Sequence, residues 1–202
     1  MNCYESMSEE DYKRVFQKME KLLLGIRSQS LLMNGNLEML MKSIFGVACE
    51  KLGYGPFVMD KKFSSASQSK KGALIDLVGF DLVCRKAIPF EFKCTFAEDA
   101  SSSKKAAKDA VKKATAYRKY AFPRVCPRIV HFLNTSDPSS CGPWPSIVRS
   151  KFPRSANQMS LDRLKRVYQG EKSACNKEKK LYFMHKFRNL KFCVLVTDFE
   201  RK

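Results

Sequence analysis

Asp76, Glu91 and Lys93 lie in a stretch of sequence that is otherwise mainly apolar. Residues 74–93 read LIDLVGFDLVCRKAIPFEFK. Successive side chains of a β-strand point to opposite faces, so Glu91 and Lys93 project together while the two flanking phenylalanines point the other way. Charges with apolar neighbours are costly to bury unless they meet a metal ion or each other. The pattern therefore predicts a compact group of opposite charges on one β-hairpin.

This combination of two carboxylates and one ammonium suits phosphodiester hydrolysis. Mg²⁺ binds carboxylate oxygens and keeps coordination positions for water and phosphate. A metal bound there lowers the pKa of its water and offsets charge at the phosphorus. We expect Asp76 and Glu91 to bind Mg²⁺, with Mn²⁺ as a substitute. Lys93 would position or activate the attacking water and stabilise the pentacovalent phosphate.

Asp81 is a second candidate for the first carboxylate. It precedes Glu91 by a gap of nine residues, whereas the gap from Asp76 is fourteen. Asp76 and Asp81 are separated by an odd number of positions, so a regular strand places them on opposite faces. A bulge near Gly79 would be needed for both to reach one metal. The sequence favours Asp76 and leaves Asp81 open.

Hydrophobic spacing predicts the elements that must position these residues. Ser8 followed by Asp11 resembles a capping box at the start of the first helix. Helices are predicted at 8–27, 37–52, 103–120 and 160–168, and strands at 73–84, 89–96, 127–134, 180–186 and 190–199. Residues 60–72 are predicted to form a polar loop.

This order of elements indicates an α/β (α+β) fold with a central mixed β-sheet flanked by helices. Residues 1–202 are expected to form a single domain. It would comprise an N-terminal helical arm (1–33), a catalytic core (34–135), and a loop with C-terminal strands (136–202).

The charge balance points to a polyanionic partner. The chain has 202 residues, with 38 Lys and Arg against 20 Asp and Glu, which gives a net charge of +18. Such a charge attracts polyanions, chiefly nucleic acid or an anionic membrane face, and of these we expect DNA and no membrane. The residues expected to contact phosphates are Lys104, Lys105, Lys108, Lys112 and Lys113 on the predicted helix, and Lys70 and Lys71 in the predicted loop. For the helix, the alternative is an ordinary solvated face.

Other classes of protein and site are disfavoured by the sequence. No apolar run approaches the roughly 18 residues needed to span a membrane. The eight cysteines form no CxxC pair and there are only two histidines, so a structural zinc site is not expected. Several cysteines stand in apolar strands, which predicts reduced thiols and an intracellular protein.

The hairpin pattern resembles the PD-(D/E)XK nuclease superfamily, which has the restriction-endonuclease-like fold. The signature of that superfamily is an Asp, a variable gap, and then Glu or Asp, any residue and Lys; Asp76 and residues 91–93 match it. Members often carry a Glu on the preceding helix. Here GNLE, ending in Glu38, and LGY at 52–54 are similar. The resemblance covers residues 35–135 and implies that Glu38 is a third metal ligand.

The resemblance implies a Mg²⁺-dependent DNA endonuclease that leaves 5′-phosphate and 3′-hydroxyl ends. Restriction-like, junction-resolving and phage or viral repair enzymes all remain open, and a homodimer is compatible. Ile75 precedes Asp76 where the signature has Pro. Some branches have Gln and Tyr four residues apart on the following helix, where this chain has Lys113 and Tyr117. The alternatives are a non-catalytic nucleic-acid-binding module on a degenerate nuclease fold and a structural protein with acidic partners.

Overall fold

A six-stranded mixed β-sheet with helices on both faces forms the centre of the described chain. The computed structural model describes residues 2–25, 37–63, 73–82, 85–120, 125–135, 158–170 and 178–201. The helices are α1 (Glu9–Leu24), α2 (Leu37–Lys51), α3 (Ala100–Tyr120) and α4 (Leu161–Gly170). The strands are β1 (Phe57–Phe63), β2 (Ala73–Asp81), β3 (Lys86–Phe96), β4 (Arg128–Asn134), β5 (Glu178–Lys186) and β6 (Phe192–Arg201). The expected α/β (α+β) class is confirmed.

The strands lie in the order β1-β2-β3-β4-β6-β5. Strands β3 and β4 are parallel, and every other neighbouring pair is antiparallel. A parallel pair needs a crossover connection, which here contains α3. Because β6 pairs with β4, the two C-terminal strands extend the same sheet that contains the hairpin of β2 and β3.

The two faces of the sheet carry different helices. Helices α1 and α2 cover one face, where Phe45 packs with Phe90 and Phe92 of β3, and Phe16 packs with Phe132 of β4. Helices α3 and α4 cover the other face through small alanines and larger apolar side chains. Since Glu91 lies between the two phenylalanines of β3, it points toward the face covered by α3. The strand alternation thus directs the charged residues of β3 beneath a Lys-rich helix.

Local signals set the ends of the first two helices. The side chain of Ser8 accepts a hydrogen bond from the backbone N–H of Asp11, and the Asp11 carboxylate accepts one from the backbone N–H of Ser8. This confirms the predicted capping box. Gly53, which follows α2, has φ +82°, a left-handed conformation that glycine adopts at little cost.

Several predicted boundaries were wrong. Residues 60–63 belong to β1 and not to a loop, because residues 61–63 pair with β2 despite the polar composition of this segment. The rest of the predicted loop, 64–72, lies outside the described residues. Strand β2 ends at Asp81, short of the predicted 84, and β3 begins at Lys86 instead of Pro89 because its first residues pair with β2.

The helices and the cysteines can be compared with what composition predicts. Within the described ranges, no helix is both long and apolar enough to cross a membrane. Cys49, Cys94 and Cys193 carry free thiols.

Candidate active site

Strands β2 and β3 separate where the charged residues lie. Their pairing ends at Phe90, although β3 continues for six more residues. Beyond that point carboxylates accept hydrogen bonds from the backbone of β3: the N–H of Phe92 donates to Asp76 Oδ2 at 2.8 Å, and the N–H of Cys94 donates to Glu38 Oε2 at 3.3 Å. Side chains from β2 and α2 therefore satisfy donors that a neighbouring strand would otherwise take. Residues of β2, β3 and α2 therefore meet at the point where the two strands separate.

Glu91 is the centre of this site, and its side chain is completely buried. The ammonium of Lys93 lies 2.7 Å from Glu91 Oε1, and that of Lys113 lies 3.1 Å from the same oxygen. The hydroxyl of Tyr117 donates a hydrogen bond to Oε2. A buried carboxylate is stable only with such partners, because burial removes its hydration. We call Asp76, Glu91, Lys93, Glu38, Lys113, Tyr117 and Asp109 the Glu91 cluster.

Helix α3 contributes three members of the Glu91 cluster that recur every fourth residue, Asp109, Lys113 and Tyr117. Side chains at this spacing lie on one helical face. Asp109 Oδ2 is 3.9 Å from the ammonium of Lys93, and the Tyr117 hydroxyl is 3.0 Å from the carbonyl oxygen of Leu74. From the sequence, Lys113 was expected only to contact phosphate, and no site role was predicted for Asp109 or Tyr117. Their spacing of four residues, on the predicted helix that follows the hairpin, is the sequence signal from which a shared site could have been predicted.

Burial and charge together shift the protonation equilibria in the Glu91 cluster. The pKa of Glu91 is raised to about 7, chiefly by burial and then by the Asp76 carboxylate, while Lys93 and Tyr117 oppose the rise. Burial also raises the pKa of Glu38, and Lys93 partly offsets it. Burial lowers the pKa of Lys113, but attraction to Glu91 outweighs it, so the pKa is raised. Lys113 therefore remains a cation, and Glu91 changes charge near neutral pH.

The structure separates the two aspartates that the sequence left as rivals. Asp76 lies beside Glu91, whereas Asp81 lies at the other end of β2, where the Cys3 thiol donates to its carboxylate. The pairing runs in register through Gly79, so no bulge brings both to one face. The ring of Tyr4 packs against Gly79, where a Cβ would lie 2.9 Å from it. Asp76 is thus the aspartate that joins Glu91.

The oxygen donors of the Glu91 cluster are compatible with a hard divalent cation. Asp76, Glu91 and the half-buried Glu38 supply carboxylates from three elements. Among the described residues, no group of three or more His, Cys, Asp or Glu side chains stands close enough to hold a metal. Mg²⁺ is usually held by one or two carboxylates, with water and phosphate completing its shell. Oε1 of Glu91 is buried and receives no well-formed hydrogen bond from described residues, although two ammonium groups pair with it.

The lysines of α3 extend from the Glu91 cluster as a basic surface. Lys104, Lys105, Lys108 and Lys112 are exposed, and Lys113 is partly exposed because its ammonium turns toward Glu91. This surface lies on the same side of the sheet as the cluster, as a phosphate-contacting surface requires. The other two lysines expected to contact phosphates, Lys70 and Lys71, lie outside the described residues.

A buried hydrogen-bond chain supports the sheet next to Lys93. His131, which faces Lys93 in the parallel pair of strands, is fully buried. Its ring nitrogens lie 2.8 Å from the hydroxyls of Thr95 and Tyr168, and Ser103 of α3 donates to Thr95. Burial, with a smaller effect of Lys93, lowers the pKa of His131 to about 3, so the ring is neutral. His131 is a core histidine with both ring nitrogens hydrogen-bonded, and this chain ties β4 to α3 and α4.

A separate pocket of about 450 Å³ lies on the opposite face of the sheet. Tyr12 of α1, Ile88 of β3 and Val196 of β6 are among its lining residues, all of them part of the core beneath α1 and α2. No member of the Glu91 cluster lines this pocket. The converging charges therefore belong to a different part of the molecule.

Comparisons with known proteins give no further guide to this site. No family profile, curated protein or solved structure matches the chain.

Proposed function

We propose that this protein is a metal-dependent nuclease that hydrolyses phosphodiester bonds in DNA. The observation that carries the proposal is the convergence of Asp76, Glu91, Glu38 and Lys93 where β2 and β3 separate. Several carboxylates lie around a buried ammonium, next to a Lys-rich helix. This arrangement would meet the two requirements of this chemistry, a cation site and a surface that attracts phosphate.

Each residue has a role in the proposed reaction. Asp76 and Glu91 would hold Mg²⁺, with Glu38 in support. A bound Mg²⁺ would supply an activated water and offset negative charge at the phosphorus. Lys93, whose ammonium lies 2.7 Å from Glu91, would position that water and stabilise the pentacovalent phosphate. The lysines of α3 would hold the flanking phosphates, and the products would carry 5′-phosphate and 3′-hydroxyl ends.

A cleavage assay tests this proposal directly. Supercoiled plasmid, a four-way junction and single-stranded DNA would each be incubated with the protein and Mg²⁺, Mn²⁺ or EDTA. We expect cutting with either metal and none in EDTA. The preferred substrate would distinguish restriction-like, junction-resolving and repair enzymes.

Variants locate the activity in the protein and exclude a contaminant. Lys93→Met and Asp76→Asn are expected to lower the cleavage rate at least about 100-fold, because each removes a charge that acts on the transition state. Lys13→Met is the control, since Lys13 is an exposed lysine on α1, far along the chain from the cluster. No cutting by folded protein, with salt-sensitive DNA binding intact, would instead favour a non-catalytic binding module.

A further inference from the structure

We propose that Lys113 is an exchangeable counter-ion of Glu91, which leaves this carboxylate when a divalent cation binds. The proposal rests on the proposed metal site and assigns a regulatory role to a residue outside the hairpin. It is carried by two ammonium groups that contact one buried oxygen and differ strongly in their exposure.

Lys93 is the fixed partner of Glu91. Its side chain is only 10% exposed, and its ammonium is 2.7 Å from Oε1, 3.9 Å from Asp109 and 4.0 Å from Glu38. This ammonium lies among three carboxylates and is shielded from water, so it would lose these contacts without gaining hydration if it moved. Moving it would leave a buried charge without a partner, which is costly.

Lys113 is the movable partner. Its side chain is 41% exposed, and its ammonium is 3.1 Å from the same oxygen of Glu91. A lysine has a flexible four-carbon stem and a strongly hydrated charge, so an exposed lysine can exchange a protein contact for water at small cost. The contact of Lys113 with Glu91 is therefore the one that yields to a competing cation.

The charges of the site make this exchange favourable. Four carboxylates of the cluster, those of Asp76, Glu91, Glu38 and Asp109, surround the ammonium groups of Lys93 and Lys113. If Lys113 stayed on Oε1, a divalent cation bound there would meet two ammonium groups at short distance. After Lys113 turns to solvent, the divalent cation shares Oε1 of Glu91 with the ammonium of Lys93 alone. Lys113 thus stabilises the buried carboxylate and competes with metal for it.

Metal affinity, measured without nucleic acid, tests the proposal. Binding of Mn²⁺ would be followed by loss of the electron paramagnetic resonance signal of the aqueous ion, with Mg²⁺ as competitor. We expect Lys113→Met to bind Mn²⁺ about tenfold more tightly than wild type, since one competing charge is gone. Lys113→Arg, which keeps the charge, should bind like wild type. Lys13→Met controls for the loss of one exposed lysine.

The possible results separate this proposal from the proposed function. If wild type and Lys113→Met bind Mn²⁺ equally, or the variant binds more weakly, the counter-ion role of Lys113 is overturned while the metal site stands. If no protein binds Mn²⁺, the metal site fails and this role fails with it. Lys113→Gln provides a second neutral variant should Lys113→Met not fold, and circular dichroism verifies the fold of each.

Discussion

Replacing Glu91 by Gln tests whether burial or ion pairing dominates the energetics of the site. Glutamine keeps the shape of glutamate but cannot ionise. Burial and Asp76 raise the pKa of Glu91 from 4.5 to about 7 in the folded protein. A difference of 7 − 4.5 in pKa corresponds to about 3 kcal/mol, at about 1.4 kcal/mol for each factor of ten.

The sign of the effect follows from the direction of the pKa change. The folded state favours protonated Glu91, so this contribution to stability is complete below pH 4.5 and is lost as pH rises through 7. Between pH 4 and pH 8, the free energy of unfolding of wild type should therefore fall by about 3 kcal/mol relative to Glu91→Gln. Titrating groups remote from Glu91 are common to both proteins and cancel in the difference.

Urea denaturation followed by circular dichroism, at half-unit steps of pH in EDTA, measures this difference. Glu10→Gln is the control, because Glu10 is an exposed carboxylate on α1 with 67% of its side chain accessible. A flat or rising difference for Glu91→Gln would refute the reasoning. It would mean that the ion pairs with Lys93 and Lys113 outweigh burial and hold the pKa of Glu91 at or below its usual value.

Two further substitutions test the supporting structure. Tyr117→Phe removes the hydroxyl that donates to Glu91, so the free energy of unfolding at pH 8 should fall by about 1–3 kcal/mol; equal urea midpoints would contradict that contact. Gly55→Ala should lower the free energy of unfolding by at least about 1 kcal/mol, measured by thermal and urea unfolding, because a Cβ would lie 1.9 Å from the backbone oxygen of Phe80. Gly170→Ala is its control, since nothing lies within 4 Å of the added Cβ; similar losses in both proteins would count against this explanation.

The sequence by itself determined the fold class and the face of the hairpin on which the charged residues lie. Alternating phenylalanines fixed the direction in which Glu91 and Lys93 point, because side chains in a strand alternate whatever lies on either side. Ser8 and Asp11 likewise fixed the start of α1, since a capping box involves only neighbouring residues. These features depend on local geometry, which the types and spacing of neighbouring residues determine.

Only the tertiary structure decided which groups meet Glu91. Tyr117 is 26 residues away in the chain, and the contact between Glu38 and the backbone of Cys94 spans 56 residues. Such contacts depend on where β2 leaves β3 and on how α3 crosses the sheet, and no local pattern encodes either. The same holds for residues 61–63, which were predicted to begin a polar loop but whose backbone pairs with β2. Pairing between distant segments overrides local preference. The same tertiary packing brings together the buried and charged groups that set the protonation of the site.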